Sequence, residues 1–109
     1  MTEDDRDLIA DFERLVNMTP KELERWLASD ESKNAGQSDE GGETKGHESG
    51  RRILALLRKN RSEYSNDDLA HMRRVRGYVK RHLAQRPSGD PVDTTWRYSL
   101  MNWGHDPTR

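Results

Sequence analysis

The sequence contains no cysteine, which excludes a disulfide framework and a thiolate metal site and fits a reducing compartment such as the cytoplasm. Apolar residues are scarce as well, at 30% of 109 residues against 36% charged. Such a balance lies near the border with disorder, where little apolar surface is available to offset chain entropy. A thin core and at least one mobile segment are therefore expected. No apolar run approaches the ~20 residues of a membrane-spanning helix, and the acidic stretch from Met1 to Asp7 lacks the apolar centre of a secretion signal. The expectation is a soluble cytoplasmic protein with no membrane partner. Alternation with period two is missing too, and valine and isoleucine are few, which argues against a sheet.

What the chain does have is charge, unevenly placed. The first fifty residues carry six Lys/Arg against fourteen Asp/Glu, and the remaining residues carry thirteen against six. One reading is a basic partner-binding half with an acidic arm; the other is two halves that pack and neutralise each other.

Helical spacing recurs along the chain. Leu8, Ile9, Phe12, Leu15 and Val16 predict a first helix from about Asp5 to Asn17. Thr19-Pro20-Lys21-Glu22 is a capping box with proline at the first helical position, and it opens a short helix bearing Leu23, Trp26 and Leu27. Between residues 29 and 48 the apolar pattern vanishes among Gly36, Gly41, Gly42 and Gly46, predicting a long flexible loop. Its Gly41 to Gly46 stretch has the wrong order for a phosphate-binding loop, and no strand precedes it. A helix with Ser49 as N-cap then carries Ile53, Leu54, Leu56 and Leu57 to about Asn60. Ser65-Asn66-Asp67-Asp68 starts the longest helix, over 66–85, with Leu69, Met72, Val75, Val79 and Leu83 in rhythm before Pro87 stops it. Trp96, Leu100 and Trp103 predict a final short helix ended by Gly104. The fold expected is all-α: a compact bundle of four to five helices forming one domain over residues 1–109.

On a helical wheel the 66–85 segment places Ala70, Gly77 and Ala84 in a line opposite its apolar stripe. Arg73 and Lys80 flank that line on one side, Arg74 and Arg81 on the other. Two rows of cations beside a trough of small residues suit a phosphate backbone. The preceding helix adds Arg51, Arg52, Arg58 and Lys59, and the turn adds Arg61. Together these residues form the candidate nucleic-acid-binding site, on a pair that resembles a helix-turn-helix. The connection from Asn60 to Ser65 is longer than that motif's usual turn and has no glycine. A solvated face, or one packed on the acidic first helix, is the competing reading.

Arg76 falls at the edge of the apolar stripe, where a carboxylate from the first helix would satisfy it. Of the histidines, His71 and His82 lie about 16 Å apart along one helix and cannot share an ion. His47 and His105 come from loops. His71, Tyr78 and His82 share a face bordering the core, where ring packing accounts for them. The aromatic block from Trp96 to Pro107 reads as a hydrophobic plug rather than a base-stacking surface. Ser49 beside His47 and Glu48 is a local cluster, not a catalytic constellation. No enzyme activity, cofactor or metal is expected.

Val16-Asn17-Met18-Thr19-Pro20 with Leu23 and Trp26-Leu27, Gly46-His47-Glu48-Ser49-Gly50-Arg51, Asp67-Asp68 with His71-Met72-Arg73, and the terminal block from Trp96 to Pro107 stand out as motifs. Together they resemble a small microbial family of unknown function whose members are often labelled DNA-binding. Arg76 departs from the small apolar residue that the family pattern leads one to expect. The resemblance implies an intact single domain and favours DNA, or nucleic acid generally, as partner. The alternative is a protein-interaction or self-association module.

Overall fold

The computed structural model describes residues 2–35 and 44–109. Among these, six α-helices and one short 3-10 turn account for the regular structure, and there is no strand. The chain is all-α, with more helices than the four to five expected.

The first helix, α1 (Glu3–Leu15), starts at a capping box between Thr2 and Asp5 and buries Leu8, Ile9, Phe12 and Leu15 on one face. The Thr19–Glu22 box begins α2 (Pro20–Leu27) as the sequence predicts. The expected loop over 29–48 is shorter at both ends. Ser29 caps a one-turn helix, α3 (Asp30–Asn34), and Thr44 rather than Ser49 caps α4 (Lys45–Leu57). The middle of that loop, with Gly36, Gly41 and Gly42, lies outside the described residues. Beyond α4, the 3-10 turn Arg61–Glu63 leads into α5 (Asn66–Leu83), capped by the Ser65–Asp68 box. The last helix, α6 (Thr95–Asn102), runs into Gly104, whose φ of 78° supplies the left-handed residue that ends it.

The early start of α4 escaped the sequence pattern because two glycines sit in its first turns. Each costs helix propensity relative to alanine. Both, however, face neighbours at close range. A Cβ on Gly46 would lie 3.4 Å from the side chains of Asn102 and Trp103, and one on Gly50 only 2.6 Å from the Asn102 carbonyl oxygen. Four residues apart, they share a face and let α4 settle onto α2 and α6.

One core joins Phe12, Leu23, Ile53, Met72, Val75 and Leu100, drawn from five helices. Where α2, α3 and α6 meet, the fully buried Asn102 acts as a polar joint. Its Oδ1 accepts from Trp26 Nε1 at 2.8 Å and from Ser32 Oγ at 2.5 Å, and its Nδ2 donates to the Ser32 carbonyl at 3.0 Å. A buried amide is tolerated because both its oxygen and its nitrogen find partners.

The main packing partner of α5 is α1, whereas α4 packs on α2 and α6. This differs from a helix-turn-helix, in which the two consecutive helices would pack on each other. The expected pair over 49–60 and 66–85 is here Lys45–Leu57 and Asn66–Leu83, set apart by a groove.

Candidate nucleic-acid interface

The helix wheel places two cationic rows on α5, and the structure sends them to different neighbours. The row on the α1 side meets carboxylates: Arg73 reaches Asp5 at 3.4 Å, and Lys80 lies near enough to Asp11 to help hold that carboxyl below its ordinary pKa. Arg76 pairs with Asp11 at 3.3 Å, the α1 carboxylate that its position on the stripe demanded. Other expected site residues are paired as well. Arg58 bonds Glu24, Lys59 reaches Asp68 at 2.7 Å, and Arg61 grips Glu13 with two bonds at 2.9 and 2.7 Å. Arg51 is exposed on α4 but is not part of the groove lining. The acidic N-terminal helix thus neutralises part of the basic half, as the second reading of the charge asymmetry proposed.

The other row stays open. Arg74 and Arg81 face a groove of about 570 Å3 between α5 and α4, and Arg52 and Lys45 face it from the α4 wall. None of these four has a carboxylate partner among the described residues, and the acid lining the same groove is Glu48. Arg73 reaches the rim, where it also meets Asp5. The trough over Gly77 is not empty. The Arg81 guanidinium folds across it, so that a Cβ on Gly77 would lie 3.0 Å from Arg81 Nη1. The small residue serves here as the seat of a cation. Of the two rows expected to straddle a phosphate backbone, only the Arg74–Arg81 row faces the groove, while Arg73 and Lys80 stand on the α1 side near Asp5 and Asp11.

In the floor, the Ser49 hydroxyl and His71 Nε2 lie 3.0 Å apart and link the two helices. His71 is 4% exposed, and its Nδ1 has no partner among the described residues. Burial, reinforced by the nearby Arg52 and Arg74 charges, pushes its pKa down to about 4. Among the described residues no carboxylate orients this serine–histidine pair, and the lowered pKa makes the imidazole a weak base. The pair joins the walls of the groove. The unfolded chain binds a proton near pH 6.5 that the folded His71 refuses until about pH 4. Stability is therefore full above pH 6.5 and declines as pH falls through that window, by about 2–3 kcal/mol at pH 4.5. Denaturant midpoints at pH 7 and 4.5, for the wild type and His71→Gln, measure this. Equal losses in both proteins would show that His71 is not the group responsible.

Sequence reasoning correctly kept the aromatic block for packing. His71, Trp103, Tyr78, His82 and Trp96 interleave from α5 and α6, with successive ring centroids 6.1, 4.2, 5.1 and 6.2 Å apart and planes within 16° of parallel. Arg86 closes the far end over Trp96, 5.6 Å from the ring centroid. Lys45 and the opposing Glu48 were missed as site residues. Both lie in the α4 turns that the two glycines concealed, and the Thr44 cap was the signal that could have exposed them.

These features define an all-helical protein with a two-walled cationic groove. A family model described as "Protein of unknown function (DUF3140)" matches residues 11–101, and the chain belongs to that family. The matched span holds every groove residue named above except Trp103. Comparisons with curated proteins and with solved structures each found no match.

Proposed function

We propose that the protein binds nucleic acid, mainly through phosphate contacts from Lys45, Arg52, Arg74 and Arg81. The observation that carries this reading is the convergence on one concave groove of four cations that have no carboxylate partner among the described residues, while Arg58, Lys59, Arg61 and Arg76 are paired. Uncompensated guanidinium groups on two facing helices suit polyanionic oxygens, which they engage by charge and paired hydrogen bonds. The alternative, a protein-interaction or self-association module without nucleic-acid binding, would have to use the charged faces rather than an apolar one. Among the described residues, Val92 is the one large hydrophobic side chain that is exposed, which leaves no contiguous apolar patch there for a helix-helix seam.

A fluorescence titration with mixed oligonucleotides over a salt series tests the proposal. Four phosphate contacts imply a slope of log K against log salt near −3. Glu48→Gln removes the carboxylate facing these cations, so it should tighten binding severalfold. A gain of affinity cannot arise from misfolding. Wild-type protein that binds no oligonucleotide at low salt would end the proposal, and unchanged affinity in Glu48→Gln would remove the groove from it.

A further inference from the structure

We infer, resting on the function proposed above, that the groove takes one single strand with its phosphates inward and bases outward, in preference to a duplex. Shape is the first argument. The cations stand on opposite walls in two rungs: Arg52 and Arg74 share a recess at one end with Asp67, and Lys45 lies beside Tyr78 and His82 at the other, toward Arg81. Seven residues separate Lys45 from Arg52 and Arg74 from Arg81, about 10 Å along each helix and enough for a few nucleotides. A single backbone lying in the groove is gripped from both sides. A duplex carries its phosphate ridges on a broad cylinder beside grooves about 6 and 12 Å wide. A ridge of that cylinder meets the rim of a concave site and leaves the facing wall unused.

The ring ladder is the second argument, independent of the first. Single-strand binders commonly stack bases on exposed aromatic faces. Here Trp103 lies between His71 and Tyr78, and Tyr78 between Trp103 and His82, with the paired planes within 15° of parallel. The aromatic residues that line the groove already stack on one another, so a base would have to break the ladder to intercalate. The wall offers charge to the backbone and little to the base, which makes recognition indifferent to sequence.

The test uses the wild-type protein and three labelled probes at one low salt concentration: a 12-nucleotide oligo-dT, the corresponding dT·dA duplex, and an abasic oligonucleotide of equal length. Oligo-dT and the abasic strand should bind within about threefold of each other, and both about tenfold or more tighter than the duplex. A duplex bound as tightly as the single strand overturns the strand preference and leaves nucleic-acid binding standing. Oligo-dT bound more than about tenfold tighter than the abasic strand overturns the bases-outward arrangement. Failure of all three probes overturns the parent function. Lys45→Gln, at an exposed position on the α4 wall, should weaken the single strand more than the duplex; equal loss for both also overturns the two-walled grip.

Discussion

Gly50→Ala is expected to destabilise the fold by about 1–2 kcal/mol net, because the overpacking it causes outweighs the gain of up to about 1 kcal/mol from alanine as the better helix former. The new Cβ would stand 2.5 Å from Leu27 Cδ2 and 2.6 Å from the Asn102 carbonyl oxygen. Leu27 can rotate in part. The carbonyl belongs to the last turn of α6 and can retreat only if that helix moves, disturbing the bonds that Asn102 makes to Trp26 and Ser32. Gly77→Ala is the internal comparison. Its Cβ meets only the flexible end of Arg81, so helix propensity should prevail and stability should rise slightly. Urea denaturation of both variants checks the pair. A Gly50→Ala protein as stable as wild type would mean that α4 does not sit this closely on α6.

The second large effect concerns binding. Replacing Arg74 and Arg81 together by glutamine strips the α5 wall of the two cations that face the groove. The salt slope should fall by about 1.5, and affinity at 0.1 M salt by roughly 20- to 50-fold, with little dependence on oligonucleotide sequence. The matched control is Arg58→Gln with Arg61→Gln. It removes the same charge from residues already engaged with Glu24 and Glu13, and binding should change little. Helix content by circular dichroism should remain at the wild-type level in both. Equal losses in the two double variants would mean that net charge, not the groove, governs binding.

Capping boxes and apolar rhythm carry most of the fold in readable form. Thr19–Glu22 and Ser65–Asp68 mark helix starts through local hydrogen bonds that need no tertiary partner. The start of α4 was hidden because Gly46 and Gly50 are chosen by what lies opposite them on α6 and α2, which no local pattern reports. The candidate site was half legible for the same reason. A wheel can set Arg73 and Arg74 on opposite flanks of a line, but only the fold decides that Arg73 meets Asp5 while Arg74 faces open space. Arg76 was readable because a cation at the edge of an apolar stripe has one inexpensive solution, a nearby carboxylate, and the acidic first helix held it.

The segment after α6 is sewn to the connection between α1 and α2. Asn17 and Asp106 exchange backbone and side-chain bonds at 3.0 and 2.8 Å, His105 Nδ1 lies 2.7 Å from the Leu15 carbonyl oxygen, and Met18 N–H donates to the Gly104 carbonyl at 3.2 Å. These partners stand about ninety positions apart in the chain. The consequence is kinetic. Contacts of such long range return nothing until nearly the whole polypeptide has been brought together, so they are expected to form after the rate-limiting step. The seam should then work as a latch: Asn17→Ala is expected to speed unfolding in denaturant jumps and leave the refolding rate nearly unchanged, and an equal change in both rates would place the seam in the transition state.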